Sequence, residues 1–270
     1  MPGAERPAGA GTPFLSALVV ARNEERRIAA CLERLGFADE IVVLLDRTTD
    51  QTAVIARSFG ARVVEGAWER EGERRTAAVT ACRGRWILEV DADEWATPEL
   101  AAEIEGLLPT AEESYFLVPI ANHVGGKLIR HGWGAYNGAA GRDALYRPGA
   151  KRWGQARIHP PVTFIGKRGA LQNPILHFVD DDLSDMFRRL NRYTDVAAQD
   201  AIENGKTLLL WPSLRRIFSR GWKSYVARRG YREGPYGIAL ALFSALYPIM
   251  TYLKVITHAD RAGVTKKGAD

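Results

Sequence analysis

At 270 residues and 46 % hydrophobic, the chain can bury a substantial core, and one α/β domain with a helical extension suits that length better than two independent domains. Its two cysteines, Cys31 and Cys82, fall inside segments of helical spacing, which argues against a disulfide framework and for a reducing compartment. The net charge of +5 is modest but uneven: Lys206–Arg232 holds eight Lys or Arg and no acid.

Residues 1–13 (MPGAERPAGAGTP) lack a charged-then-apolar signal pattern and are expected to be a disordered leader. Leu15–Ala21 (LSALVVA) is a continuous apolar run, suited to a strand covered on both faces. Glu24–Leu35 has helical spacing, with Ile28, Cys31, Leu32 and Leu35 on one side. Glu40–Leu45 predicts a second buried strand, stopping at Asp46. Gln51–Phe59 predicts a helix closed by Gly60, Ala61–Glu65 a third strand and Glu73–Cys82 another helix. Arg85–Val90 (RWILEV) predicts a fourth strand running straight into Asp91-Ala92-Asp93-Glu94, and Tyr115–Ile120 a fifth. Such alternation indicates an open, mainly parallel sheet, whose ligands sit at the carboxyl ends of the strands. Asp46 and Asp91–Asp93 fall at such ends. Between Gly125 and Trp153, loops and short antiparallel strands are expected; Leu183–Ile202 returns to helical spacing, and Pro235–Leu253 runs 19 residues without a charge.

Two carboxylates at i and i+2, where a strand ends, can both turn toward a ligand, and hard divalent cations share such oxygens with substrate phosphates. The plain alternative for Asp91-x-Asp93 is a solvated acidic turn capping a helix near Thr97-Pro98-Glu99. Arg22-Asn23-Glu24-Glu25 and Asp46–Thr52 add two more polar clusters at the ends of consecutive strands, which favours a common site.

The segment VVARNEERRIAACLERLGFADEIVVLLD, followed by TDQT, WILEVDADE and TPEL, resembles the family 2 glycosyltransferases. It is most similar to the branch of bacterial lipopolysaccharide-core glucosyltransferases. The likeness covers roughly residues 15–110 and continues more weakly to about 255, through LYRPGAKRW, His159 and LNRY. It implies a GT-A fold (Rossmann-like, mainly parallel sheet with flanking helices) over 14–180, a helical, membrane-docking extension over 181–260, and a flexible tail over 261–270. It further implies that Ala21, Arg22 and Glu24 line the nucleotide and that Asp46 recognises the base. Asp91 would contact the ribose or metal, and Asp93 would ligate Mg²⁺ or Mn²⁺. Arg75 would approach the donor and His159 would complete the metal site.

The chain departs from that pattern at Arg47-Thr48-Thr49, where the family has a small Gly/Ser loop. It departs again at Thr76, where Asn is common, and at His159-Pro160, where His-Glu is frequent. An inverting transfer needs a carboxylate to take the acceptor proton. Glu94 and Asp143 are the candidates; Asp180–Asp182 serves equally as a helix N-cap before Leu183. His123, His131 and His177 stand isolated and are expected to be structural.

The expected activity is inverting transfer of a hexose, by default glucose, from a nucleotide sugar, by default UDP-linked. The expected acceptor is a lipid-linked saccharide of a lipopolysaccharide-like glycan. The basic, aromatic Leu208–Arg232 stretch and the apolar run after it are expected to lie in the anionic cytoplasmic face of the bacterial inner membrane, as surface helices or a re-entrant hairpin in preference to a span, the alternative being an apolar helix packed on the catalytic domain or on a second subunit; a homo-oligomer is left open. A non-catalytic membrane-associated protein on the same fold is the alternative. A sugar nucleotidyltransferase is disfavoured by the glycine-free loop after the first strand, and a nucleic-acid binder by the strand-end carboxylates.

Overall fold

The computed structural model describes residues 14–132, 141–154 and 161–261. The chain divides into two compact units: residues 1–120 with 141–177, and residues 121–140 with 178–270. Among the described residues, 121–132 lie in the C-terminal unit.

The first unit opens with β1 (Leu15–Ala21), α1 (Ile28–Glu33), β2 (Glu40–Asp46), α2 (Thr52–Ser58), β3 (Arg62–Gly66), α3 (Glu71–Ala81) and β4 (Trp86–Val90). These strands pair in parallel in the order β3-β2-β1-β4. The apolar runs of β1, β2 and β4 are covered on both faces, as the sequence requires: Leu15, Ala17 and Val19 pack with Trp86, Leu88 and Val90 into one cluster, and Leu18, Val42, Leu44 and Ile87 into another. Gly60, with φ +74°, closes α2 by donating its N–H to the Arg57 carbonyl at 2.9 Å. The predicted helix at Glu24–Leu35 shortens to α1. Asn23, left-handed at φ +56°, accepts from the Thr49 N–H at 2.8 Å instead of joining a helix.

The rest of the unit comprises β5 (Glu94–Ala96), α4 (Pro98–Leu107), the start of β6 (Tyr115–Val124), β8 (Gly141–Tyr146), β9 (Lys151–Trp153), β10 (Val162–Phe164), β11 (Arg168–Ala170) and the start of β12 (Ile175–Asp180). Here β8 runs antiparallel to both β4 and β6, with a register shift between Phe116 and Leu117. Strands β9 and β10 form a separate antiparallel pair. Thr97 caps α4 by accepting the Leu100 N–H at 3.1 Å, ahead of Pro98 at the first helical position. The cap is therefore not one of the DADE acids, and the helix-capping explanation of that motif falls.

In the second unit, β7 (Lys127–Leu128) makes a hairpin with the end of β6, and α5 (Leu183–Glu203), α6 (Leu210–Trp222) and α7 (Pro235–Arg261) follow. Asp182 caps α5 by accepting the Asp185 N–H at 2.8 Å, which accounts for that acidic run. Val124, Ile129, Val179, Met186, Leu240 and Phe243 form its main core. Buried Glu233 ties the hairpin down, accepting from the Arg130 and His131 backbone N–H at 2.9 Å each and pairing with Lys127 at 3.0 Å.

Candidate active site

Parallel pairing ends β1, β2 and β4 on the same edge, and the polar clusters gather there. The loops after β1 and β2 are laced together. The Glu24 N–H donates to Thr52 Oγ1 at 2.8 Å, the Glu25 N–H to Asp50 at 3.1 Å, and the Gln51 N–H to Glu25 at 3.0 Å. Ala21 is buried at the end of β1, and Arg22 is exposed beside it.

After β4 the chain turns at Asp91–Glu94. The Asp91 N–H donates to Glu94 Oε2, and the Glu94 N–H to the Asp91 carbonyl, each at 2.9 Å. From β8, Arg142 reaches into this turn: Nη1 lies 2.6 Å from Asp91 Oδ2, and Nη2 donates to Glu94 Oε2 and to the Glu89 carbonyl. Burial alone would raise the Asp91 carboxyl, but the Arg142 and Arg75 guanidiniums outweigh it and hold it low. Burial dominates at Glu94, and with neighbouring Asp91 it raises that carboxyl despite Arg142.

Beneath the turn lies a second charged layer. Glu89, buried in β4 on the same face as Asp91, is met by Lys151 at 2.6 Å, Arg75 at 2.5 Å and the Tyr146 hydroxyl at 3.2 Å. Arg75 is thus committed to Glu89 and to Glu71 at 3.8 Å.

Asp93 has a different environment. Its Oδ2 lies 3.4 Å from His177 Nε2 and 3.8 Å from Arg27 Nη1, and its side chain is 28 % exposed. The antiparallel pairing of β5 with β12 sets His177 opposite Glu94 and hence beside Asp93. Burial is the largest single influence on His177 and lowers it, but Asp93, Glu94 and Asp91 together outweigh it for a net upward shift. This corrects the expectation that His177 is an isolated structural residue. His123 does fit that description, stacked on Phe178 and hydrogen-bonded to the Ala121 carbonyl. His159 lies outside the described residues.

The remaining expected site residues are placed as follows. Asp46 ends β2 but is only 2 % exposed, and its carboxylate is gripped by Arg47 through two bonds of 3.0 Å, by Arg74 at 3.2 Å and by the Trp68 N–H at 3.2 Å. Burial pushes Asp46 up; the Arg47 hydrogen bonds, the Trp68 N–H and the cationic charge pull it down further. Asp143 is not brought to the cluster. Successive residues of a strand face opposite sides, so Arg142 enters the site while Asp143 points away to Arg168, at 2.7 and 3.2 Å.

Residues 16–173, more than half the chain, match the family described as Glycosyl transferase family 2. The chain belongs to that family. This glycosyltransferase is 26 % identical over 267 residues to the lipopolysaccharide core biosynthesis glycosyltransferase LpsC of Rhizobium meliloti, covering 92 % of this chain and 94 % of the relative. It is 26 % identical over 234 residues to a glycosyltransferase of Rickettsia bellii, covering 77 % of each. Among solved structures, glucosyl-3-phosphoglycerate synthase from Mycobacterium tuberculosis in complex with Mn²⁺, UDP and phosphoglyceric acid overlaps 41 % of this chain and 44 % of its own. That overlap has 26 % identity and a TM-score of 0.35.

Two site residues escaped the sequence reading. Arg142 was visible beside Asp143, and strand alternation would have separated the two. His177 carried no local signal, because only the β5–β12 register brings it to Asp93.

Proposed function

We propose that this family 2 enzyme transfers a hexose, glucose by default, with inversion, from a UDP-sugar to a lipid-linked saccharide of a lipopolysaccharide-like glycan at the cytoplasmic face of the inner membrane. The observation that carries the reading is the Asp91–Glu94 turn at the carboxyl end of β4, where Arg142 holds Asp91 and leaves Asp93 beside His177. Likeness to LpsC along nearly the whole chain supports the glycan class.

A divalent cation fits this donor set. Mg²⁺ and Mn²⁺ sites on nucleotide enzymes use one or two carboxylates and take their remaining ligands from phosphates and water. Asp93 is partly exposed with an imidazole beside it, so Asp93 and His177 would hold the ion. Bound there, it would supply positive charge to the departing diphosphate. Arg142 keeps Asp91 ionised and fixed, and Glu94 secures the turn from within. Of the two carboxylates that the sequence offered as base, Glu94 is 1 % exposed and bonded to Arg142, and Asp143 pairs with Arg168.

The second reading, a non-catalytic membrane-associated protein, draws on Asp46, whose carboxylate Arg47, Arg74 and the Trp68 N–H already occupy. Calorimetric titration with UDP and UDP-glucose, with and without Mn²⁺, separates the two. The enzyme reading expects metal-dependent binding that Asp93→Ala and His177→Ala each weaken at least about tenfold. Absence of binding under every metal condition would overturn it and leave the scaffold.

A further inference from the structure

The C-terminal unit carries a helix whose largest aromatics face outward. On α6, residues 211, 218 and 222 fall within one narrow helical stripe, and Trp211, Phe218 and Trp222 are 76, 79 and 66 % exposed. The side packed on α7 carries small and polar residues beside a half-buried Ile217. Ser213 is buried, an added Cβ at Gly221 would lie 3.7 Å from the Ala245 Cβ, and Arg220 sits 5.1 Å over the Tyr247 ring. A surface helix of a water-soluble unit shows the reverse arrangement. A shallow, apolar groove of about 780 Å³ runs beside Phe218, Trp222 and Tyr225. Exposed Arg215, Arg216 and Lys223 flank the stripe, within the 206–232 segment that has no acid.

We infer that α6 lies in the plane of an anionic phospholipid surface, with Trp211, Phe218 and Trp222 in the interface and the flanking cations on the headgroups. Amphipathic aromatics and basic side chains at one depth match that boundary, and the acid-free charge selects anionic lipid. This deepens the membrane element of the proposed function by naming the helix and the face. It also assigns α7 a different part. Pro235–His258 is long and apolar enough to cross a bilayer, at a mean hydropathy of 1.6, but 44 % of its most apolar stretch is buried within the protein. It serves as the packed support on which α6 is presented, together with α5.

Flotation of the purified full chain with phosphatidylcholine vesicles, with and without phosphatidylglycerol, tests this. The wild type is expected to float with the anionic vesicles only and to be released by high salt. Trp211→Ser/Phe218→Ser/Trp222→Ser should abolish flotation. Arg215→Gln/Arg216→Gln/Lys223→Gln should weaken it about 100-fold, at about 1 kcal/mol per charge. Both variants should keep the UDP titration of the wild type, so loss of nucleotide binding and loss of docking are read separately. Flotation of the aromatic variant at the wild-type level would overturn the inference. So would a salt-resistant, lipid-indifferent association, which would make α7 a span. A protein that ignores vesicles but forms a dimer dissolved by the aromatic variant would show that a second copy covers the stripe.

Discussion

Replacing Arg142 by methionine removes the cation but keeps most of the side-chain bulk, and it isolates what holds the Asp91–Glu94 turn. Arg142 Nη2 donates to Glu94, and the Asp91 N–H is the other hydrogen bond on that carboxylate. Without the guanidinium, Glu94, at 1 % exposure, becomes a buried carboxylate beside another. Breaking a buried pair by deleting one partner typically costs 3–5 kcal/mol. The lower end applies here, about 3 kcal/mol, because the Asp91 side chain is 36 % exposed and Glu94 can take up a proton. For a chain of this size that corresponds to a fall in Tm of about 6–12 °C. The pH dependence has a definite sign. A carboxyl whose folded pKa is raised binds its proton more tightly in the folded state. Its stabilising contribution is therefore complete below the unfolded value, 4.5, and is lost as pH rises through the folded one. Arg142→Met raises Glu94 further, so the deficit relative to wild type should grow with pH. Glu94→Gln in the Arg142→Met background, where a neutral amide needs no cation, should restore about 2 kcal/mol and flatten that dependence. Thermal and urea unfolding of the two single variants and the double variant complete the cycle. A cost below about 1 kcal/mol for Arg142→Met, or a Glu94→Gln that adds to the damage, would refute the reasoning.

Glu40 makes the opposite prediction in acid. Burial pushes its carboxyl up, but Ser16, the Arg83 backbone and side chain, and Arg62 bring it down to about 2 from 4.5. Its stabilisation is present above pH 4.5 and lost as pH falls toward 2, so Glu40→Gln should cost about 2 kcal/mol at neutral pH and blunt acid unfolding. Gly72→Ala would drive a Cβ to 2.2 Å from the Gly154 carbonyl oxygen, whereas at Gly106 nothing lies within 4 Å. Urea titrations should show a loss of about 1–3 kcal/mol for the first and a gain of about 0.5–1 kcal/mol for the second. Burial, reinforced at Cys31 by Glu94, Asp91 and Asp93, pushes the Cys31 thiol well up and the Cys82 thiol to about 12. Cys31 should not react with iodoacetamide at pH 8 until the chain is denatured, with half-buried Cys82 reacting only slowly, and ready alkylation of Cys31 in the native protein would contradict its burial.

Features encoded within a few residues were readable from the sequence. The parallel strands announce themselves because a strand covered on both faces must be apolar throughout, and the first polar residue after each run, Asp46 or Asp91, marks the sheet edge where ligands collect. What could not be read depends on partners supplied from elsewhere. Arg142 meets Asp91 across 51 residues of chain, and it does so because β8 inserts antiparallel beside β4. His177 reaches Asp93 only through the β5–β12 register, since a one-residue slip would turn it to the other face. The same reasoning applies to α6. The basic, aromatic composition of Leu208–Arg232 pointed to a surface, but which side of the helix carries the stripe of Trp211, Phe218 and Trp222 outward depends on its packing partner. Its outward direction is set by the opposite side, where Ser213 and Gly221 permit close approach to α7. Small residues select the packed face by letting two helices come together, while the large aromatics are left for whatever lies outside the protein. A helix that exposes its costliest apolar surface while burying a serine calls for a covering partner, and the acid-free run of cations beside it is what the proposed anionic lipid surface would complement.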